Sequence, residues 1–314
     1  MVKTKSRHTS NRKTKKLICN PTARKNKITK NSCFTPKAVE LLKSYYNKQH
    51  PNKKILKRNP RQILREIKKV SPTTCKSDVC IINKFTKNKR DANMLKALLY
   101  PPPKPANWDD DPDAWLSNFD IMDVLNQYEK SYPNFTLIGP SSIDYDTEIH
   151  PNLFVCRRLR EFNLETYLQK KPPITKIGVV FNLDPHHKGG SHWVSLFIDL
   201  EHYFIFYFDS NGNPIPSNIK KFVDMVMKQA STLELPKKLE FHQNTQTEHQ
   251  MKNTECGMYS LYFIITMLLR EKEIKYDVEG GGSPKMTTQE LFDLFKNKRI
   301  PDMFVFEKRE EYFR

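Results

Sequence analysis

The chain has 314 residues, of which 38% are hydrophobic and 28% charged, and its formal net charge is +18. This length allows one large core with an appendage, or two small domains. No apolar run approaches the roughly 18 residues of a membrane span, and the basic N-terminus has no apolar segment, so we expect neither a membrane protein nor a secretory signal. The six cysteines are scattered along a chain too long for a disulfide miniprotein, which favours a reducing compartment.

The positive charge is concentrated in the first 90 residues. They hold 27 Lys and Arg against only three acids, Glu40, Glu66 and Asp78, and the rest of the chain is mildly acidic. A basic arm of this kind predicts electrostatic affinity for a polyanion, in the simplest case DNA. A solubilising or targeting tail would explain the charge equally well.

The N-terminal part is predicted to hold a tail and a small helical domain. Residues 1–33 contain no acid and little apolar periodicity, so we expect a disordered basic tail. A basic helical arm domain is predicted over residues 34–100, because Thr35-Pro36 and Asn59-Pro60 each combine an N-cap residue with a proline at the first helical position. The buried stripes of these two helices are predicted to be Val39, Leu42 and Tyr46, then Ile63, Leu64, Ile67 and Val70.

The proline-rich stretch "PPPKP" at 101–105 predicts a stiff linker, which makes residues 101–314 a second domain. Its pattern mixes helices and strands, including an antiparallel hairpin and a helix that is apolar on nearly every face, so we predict an α+β fold. The predicted elements are a helix from about Asn118, a strand over Ile177–Asp184, the strands "HWVSLFID" and "YFIFYFD", a helix from Ser217, a strand "LEFHQ", a helix "CGMYSLYFIITMLL", and a last helix opened by the capping box Thr287 to Glu290.

The hairpin spacing predicts a contact between a histidine and an aspartate. If Leu200-Glu201 is a two-residue turn, His192 lies directly opposite Asp209. Opposed side chains point to the same face of a sheet with Cβ atoms roughly 4.5–5.5 Å apart. At that distance the carboxylate can hold the imidazole by its Nδ1–H and stabilise the imidazolium. The turn lacks Asn-Gly, so the register could slip.

A cysteine stands at the start of the most apolar helix. Asn253 or Thr254 can serve as the N-cap, which leaves Cys256 in the first turn, where backbone N–H groups and the helix dipole favour an anion. Gly257 is expected to leave room for a substrate backbone, and the Gln250 amide can reach an oxyanion beside the Cys256 N–H. Taken singly these features are weak, because a buried cysteine is usually inert filler. No metal is expected, since no histidine has a helical i,i+4 histidine partner.

Four stretches together resemble the ubiquitin-like-protein (SUMO) protease clan of cysteine peptidases. The resemblance is greatest to the polyprotein-processing proteases of large DNA viruses, such as African swine fever virus and the poxviruses, and more distant to the adenovirus protease. It covers about half of the chain and rests on the Trp after His192, the step to Asp209, and the Gln six residues before Cys-Gly. The stretches are "WLSNFDIMDVL", "FNLDPHHKGGSHWVSLFIDL", "FYFDSNG" and "HQMKNTECGMYSLYFI".

The resemblance implies a papain-like, adenovirus-protease-like core, with a central mixed sheet and a buried nucleophile helix. It also implies the roles of six residues. Cys256 is the nucleophile, His192 the general base and acid, and Asp209 the residue that orients His192. Gln250 contributes to the oxyanion hole, and Trp193 and Trp115 line a narrow channel over the glycines of the substrate, although core packing explains these two tryptophans as well.

The function implied is a cysteine endopeptidase, without cofactor, that matures capsid or core precursors in virions and host cytoplasm by cutting at Gly-Gly-X or small-Gly sites. One alternative is a SUMO or ubiquitin deconjugating protease with the same triad. Another is a basic nucleic-acid-binding virion protein with a degenerate protease fold. "VEGGGSPK" contains a candidate self-cleavage site at Gly280-Gly281-Gly282, or it is a flexible linker.

Overall fold

The computed structural model describes residues 17–234, 236, 238–272 and 284–314. The chain divides into two compact units, Met1–Tyr100 and Pro101–Arg314. The candidate self-cleavage site Gly280-Gly281-Gly282 lies outside the described residues.

The first unit is helical where it is described. Thr35 and Asn59 cap their helices through their side chains, with proline at the first helical position as predicted. The predicted stripes are buried except for Val70, which ends its helix and is 41% exposed. The helices are α1 Pro21–Asn26, α2 Pro36–Gln49, α3 Pro60–Val70, α4 Asp78–Phe85 and α5 Lys89–Leu99.

Part of the predicted disordered tail is folded. Asn20 caps α1, and Ala23 and Cys33 are fully buried in the core of this unit. A disulfide joins Cys19 to Cys33. The prediction of disorder is therefore wrong for residues 17–33, because these few apolar side chains are buried by distant helices and not by a local periodic pattern. Residues 1–16 lie outside the described part.

A second disulfide joins Cys75 to Cys80. The expectation of a reducing compartment did not anticipate either bond. Pairing depends on how close the fold brings two Cα atoms, here 5.4 Å and 5.3 Å, and sequence spacing alone does not give that distance.

The second unit is α+β, with a five-stranded mixed sheet in the order β1-β4-β5-β6-β7. The two edge pairs β1/β4 and β6/β7 are parallel, and the central pairs β4/β5 and β5/β6 are antiparallel. The strands are β1 Phe135–Ser142, β2 Glu148–His150, β3 Leu153–Phe154, β4 Lys176–Asn182, β5 Trp193–Asp199, β6 Phe204–Phe208 and β7 Glu240–Gln243, with β2 and β3 forming a separate ribbon. A short 3-10 helix, Ala106–Asp109, precedes α6 Asn118–Ser131, and the later helices are α7 Arg157–Arg160, α8 Leu164–Leu168, α9 Ser217–Ser231, α10 Cys256–Leu269, α11 Thr288–Lys296, α12 Asp302–Glu307 and α13 Arg309–Tyr312.

Both faces of this sheet are covered. Alternate residues of β5 point to opposite faces, so Phe197 packs with α6 and α10 while Leu196 and Ile198 pack with α8 and α9. All fourteen residues of α10 are buried, as its apolar sequence predicts. The helix therefore lies in the core, and its first residue has a fixed position relative to β5 and β6.

The β5–β6 hairpin has a different register from the predicted one. Asp199 pairs with Phe204, so the turn has four residues and not two. The Asp199 carboxylate accepts hydrogen bonds from the backbone N–H groups of Glu201 and His202, which closes the longer turn. The register moves by two residues, and an even shift keeps every side chain on its predicted face.

Among the described residues, no helix has both the length and the apolar character needed to cross a membrane.

Candidate active site

Three elements of the second unit bring the predicted residues together. His192 immediately precedes β5, Asp209 immediately follows β6, and Cys256 is the first residue of α10. Because β5 and β6 are antiparallel neighbours, the start of one strand adjoins the end of the other. The N-terminus of α10, which packs on β5, completes the group.

The predicted contact between His192 and Asp209 is present, but it uses the other ring nitrogen. His192 Nε2 lies 2.6 Å from Asp209 Oδ1, whereas the sequence argument assigned this bond to Nδ1. The register shift explains the change, because Asp209 is diagonal to His192 and not directly opposite it. With Nε2 bonded to Asp209, Nδ1 is the nitrogen available for the hydrogen bond between His192 and Cys256.

The environment of His192 favours its protonated form. Burial opposes the charge, but the hydrogen bonds and charges of Asp209 and Cys256 outweigh burial and raise the pKa of His192 to about 9. The Asp209 side chain is fully buried. An imidazolium that stays charged beside a thiol is the arrangement that activates a cysteine nucleophile.

The Asp209 backbone is held by a buried asparagine. Asn244 accepts a hydrogen bond from the Asp209 N–H at 3.0 Å and donates one to the Asp209 carbonyl at 2.7 Å. The Asn211 N–H donates to Asp209 Oδ1 at 2.8 Å. These bonds fix the orientation of the Asp209 carboxylate. Nothing in the sequence alone indicated this role for Asn244.

The start of α10 differs from the predicted cap. Glu255 occupies the N-cap position, and its side chain does not cap the helix. Its carboxylate instead forms a buried ion pair with Arg309 of α13, with Nη2–Oε1 at 2.5 Å and Nε–Oε2 at 3.3 Å. Arg309 also donates to the Pro112 carbonyl, and its guanidinium lies 4.2 Å from the centre of the Trp108 ring. This ion pair thereby joins the start of α10 to α13.

Gly257 packs against Leu116, and the approach of a substrate backbone to it stays a prediction. A Cβ at Gly257 would lie 3.0 Å from the Leu116 Cβ, closer than side chains normally pack. A glycine at position 257 therefore allows α10 to pack closely against the segment before α6. The backbone carbonyl of Leu116 also accepts a hydrogen bond from Trp193 Nε1 at 3.0 Å.

Gln250 is buried and attached to the residue after Asp209. Its backbone N–H donates to the Ser210 carbonyl at 2.9 Å, and its side-chain Oε1 accepts a hydrogen bond from Ser210 Oγ at 2.8 Å. Gln250 and Ser210 are 5% and 1% exposed, so these bonds are shielded from water. The loop before α10 is thus joined to the end of β6.

The two predicted substrate-binding tryptophans line the same cavity. The cavity has a volume of about 400 Å³. Its other lining residues include Ser141, Ser142, Gly189 and Gly190. Trp193 is 9% exposed and held by Leu116, whereas Trp115 is 43% exposed and has its ring largely open to solvent. Trp193 thus also packs in the core, as the alternative interpretation held.

The loop between β4 and β5 is shaped by Asn182. The Asn182 side-chain oxygen accepts from the N–H groups of Asp184 and Ser191, at 2.9 Å and 3.3 Å. Gly190, at φ +91°, has its Cβ position only 2.7 Å from Asn182 Nδ2, so another residue there would clash. This local structure delivers His192 to the start of β5.

The remaining histidines behave differently from His192. His249 is buried and structural, because it bonds the Phe295 carbonyl and the Ile300 N–H, and burial lowers its pKa. Within the described residues, two partly exposed groups bring three possible metal ligands together. They are Asp144, His186 and His187, and Asp199, Glu201 and His202.

A cysteine, an imidazole and a buried carboxylate thus meet where β5, β6 and α10 adjoin, which is the arrangement of a cysteine peptidase site. Residues 168–299 match the model of the Ulp1 protease family, C-terminal catalytic domain. The match covers less than half of the chain, and within it residues 168–299 are similar to a cysteine peptidase domain of the Ulp1 type.

Two curated viral proteins are similar to this chain. A putative thiol protease of Acanthamoeba polyphaga mimivirus is 34% identical over 161 residues, which are 50% of this chain and 49% of that protein. The match thus spans about half the length of that relative. The SUMO-1 cysteine protease of African swine fever virus is 28% identical over 203 residues, 60% of this chain and 72% of that protein.

A solved structure extends the likeness in fold. The crystal structure of the African swine fever virus protease covers 95% of this chain and 96% of its own, with a TM-score of 0.62 and 20% sequence identity. At that identity the likeness shows a shared fold.

Proposed function

We propose that this chain is a cysteine endopeptidase that matures capsid or core precursor proteins of a large DNA virus by cutting after Gly-Gly or small-Gly pairs. The observation that carries the proposal is the hydrogen-bonded group of Asp209, His192 and Cys256, with a pKa of His192 near 9. The viral role draws its support from the two viral relatives.

The proposed reaction begins with attack by Cys256 Sγ on the carbonyl carbon of the scissile peptide bond. The protonated His192 then gives its Nδ1 proton to the leaving amine as the C–N bond breaks, which leaves an acyl thioester. His192 next takes a proton from water, the hydroxide attacks the thioester, and the C–S bond breaks. The products are the new carboxyl group and the thiolate, and Asp209 keeps the imidazole in one orientation throughout.

The oxyanion formed in each attack needs hydrogen-bond donors. The Cys256 N–H at the start of α10 is one, because the first N–H groups of a helix have no partner within it. The side-chain amide of Gln250 is the second donor that we propose.

The proposed preference for glycine is supported by the cavity that Trp193 and Trp115 line. Trp193 is held by the Leu116 carbonyl and cannot move aside easily, and Trp115 lies across the same cavity. A channel bounded by two such rings would admit an extended Gly-Gly segment and oppose side chains. The proposed substrates are therefore structural protein precursors with Gly-Gly-X sites, acted on in the virion or at a cytoplasmic assembly site.

The nucleophile is tested by Cys256→Ala, with Cys156→Ala as the control. These two are the free cysteines of the chain, and Cys156 lies outside the proposed site. We expect Cys256→Ala to abolish cleavage of a Gly-Gly-X peptide, measured by mass spectrometry, and Cys156→Ala to leave the rate unchanged. Full cleavage by the Cys256→Ala variant would refute the assignment.

A second candidate function is deconjugation of SUMO or ubiquitin, which the match to the Ulp1 family model favours. It would use the same residues. Cleavage of folded modifier fusions and of short Gly-Gly-X peptides should be compared at equal concentrations. Efficient turnover of the folded fusions alone would reverse the order of the two candidates.

We also propose that the first unit binds DNA. In α3, Arg61, Arg65 and Lys68 are exposed at i, i+4 and i+7, opposite the buried stripe of Ile63 and Ile67, so they form one basic stripe. Exposed cations at this spacing can each contact a phosphate.

This proposal predicts a salt-dependent affinity for duplex DNA. The change of Arg61, Arg65 and Lys68 to Gln should weaken binding and make the slope of log affinity against log salt shallower by about 2–3. The control removes three exposed charges from the second unit, Lys130, Lys171 and Lys228. Fluorescence anisotropy over a salt series measures both, and equal effects of the two triple variants would contradict the stripe as the binding surface.

A further inference from the structure

Ser210, the residue after the proposed catalytic aspartate, bonds to Gln250 through its side chain. Ser210 is 1% exposed, and its Oγ donates to Gln250 Oε1 at 2.8 Å. The Ser210 carbonyl accepts two more hydrogen bonds, from the backbone N–H of His249 at 2.8 Å and of Gln250 at 2.9 Å. Ser210 thus holds both the main chain and the side chain of Gln250.

The direction of the side-chain bond has a chemical consequence. A glutamine amide has an acceptor oxygen on one side and two N–H donors on the other. With the oxygen occupied by Ser210, the donors point away from Ser210. In the reversed orientation the amide oxygen would face the reacting carbonyl and repel its developing negative charge.

We propose that Ser210 is a positioning residue that sets the orientation of the Gln250 amide for oxyanion stabilisation. This inference rests on the proposed function, because it presumes that Gln250 serves the oxyanion. It adds a role for the hydroxyl group of Ser210.

The position of Ser210 also connects two parts of the mechanism. Asp209, which orients the imidazole, and Ser210, which orients the amide, are consecutive residues at the end of β6. Asn244 fixes the Asp209 backbone through two hydrogen bonds, so the same short segment is held in place for both tasks. A displacement of this segment would disturb the base and the oxyanion hole together, whereas loss of the Ser210 hydroxyl should disturb only the oxyanion hole.

The test compares Ser210→Ala with Ser210→Thr, and uses Ser195→Ala as the matched control. Ser195 is also a fully buried serine of this sheet, and its Oγ has no hydrogen-bond partner within the described residues. Ser210→Ala should lower kcat for a Gly-Gly-X peptide by about tenfold or more with KM unchanged, less than the roughly 10²–10³-fold loss from deleting an oxyanion donor. Ser210→Thr keeps the hydroxyl and should restore most of the rate, and Ser195→Ala should match the wild type.

Two further measurements separate positioning from a merely structural role. Alkylation of Cys256 by iodoacetamide forms no oxyanion, so its rate should be the same in Ser210→Ala and wild type. A peptide ending in glycinal adds to the thiol and places an oxyanion in the hole, so its affinity should fall about as much as kcat. In the Gln250→Ala background, Ser210→Ala should have no further effect on kcat.

Each outcome decides between the alternatives. If Ser210→Ala cleaves at the wild-type rate, or if alkylation falls in parallel with kcat, the positioning role is wrong while the proposed function stands. If the wild type neither cleaves the peptide nor binds the aldehyde, the proposed function is wrong and the role of Ser210 with it.

Discussion

His192 is the residue whose protonation state controls the proposed reaction. Burial by itself would lower the pKa of His192, and the bonds and charges of Asp209 and Cys256 raise it to about 9 from the ordinary 6.5. The imidazolium therefore persists through neutral pH. We expect kcat/KM to fall as pH rises through about 9, because the proton needed by the leaving amine is then lost.

The same residue gives a prediction for Asp209→Asn. Burial lowers the pKa of His192, and without the Asp209 carboxylate this effect is opposed less, so the alkaline fall in kcat/KM should move to lower pH. If the alkaline fall occurs at the same pH in Asp209→Asn as in the wild type, Asp209 is not the group that raises the pKa of His192.

The raised pKa of His192 also affects stability. A group whose pKa is higher in the folded state stabilises the fold fully below its unfolded pKa, here near 6.5. That stabilisation is lost as pH rises through about 9.

At the scale of residues, the sequence predicted which side chains contact each other but not which atoms form the hydrogen bond. The pairing of His192 with Asp209 followed from hairpin spacing, since an even register shift left both on one face. The choice of Nε2 over Nδ1 depends on side-chain rotation, which spacing does not determine. Ser210 and Asn244 were missed because their role comes from hydrogen bonds to residues 35–40 positions away.

At the scale of elements, the buried pair of Glu255 and Arg309 joins α10 to α13. Burial raises the pKa of Glu255 even though Arg309 lowers it, so the carboxylate depends on its partner. Arg309→Met should leave Glu255 buried without a counter-charge. We expect a loss of about 3–5 kcal/mol in the free energy of unfolding, measured by urea denaturation.

Two comparisons show whether breaking the ion pair of Glu255 and Arg309 causes the loss in the free energy of unfolding. In Arg157→Met the broken ion pair with Glu161 is exposed to solvent, so the loss in the free energy of unfolding should be much smaller than in Arg309→Met. The double variant Glu255→Met with Arg309→Met removes both charges and should recover part of the loss. A double variant no more stable than Arg309→Met alone would argue against an unpaired charge as the cause.

The sequence predicted some elements well and others poorly, for a physical reason. Helix α6 was predicted from about Asn118, where it begins, because its apolar period is a local signal. Strand β1 was missed, although Phe135, Leu137 and Ile138 are buried, because an edge strand with Gly139-Pro140 inside it has no clear alternation. The hairpin turn was placed wrongly because Asp199 closes a longer loop by side-chain bonds.

For the whole molecule, the unpredicted features are contacts between residues far apart in the sequence. The disulfide between Cys19 and Cys33 and the burial of Ala23 gave structure to a segment whose composition predicted disorder. Arg309 lies 54 residues from Glu255, and no local pattern links them. The α+β class and the buried helix were predictable because they depend on periodicity and apolar content.

Helix α10, which begins with the proposed nucleophile, is buried along its whole length, and this burial limits how the proposed activity can be lost. A site on a surface loop can melt while the rest of a protein stays intact. Here the first residue of α10 can move only if the helix leaves the core it shares with β5 and α6. We therefore expect the proposed nucleophile to be displaced only when this core itself unfolds, and not in a separate local opening.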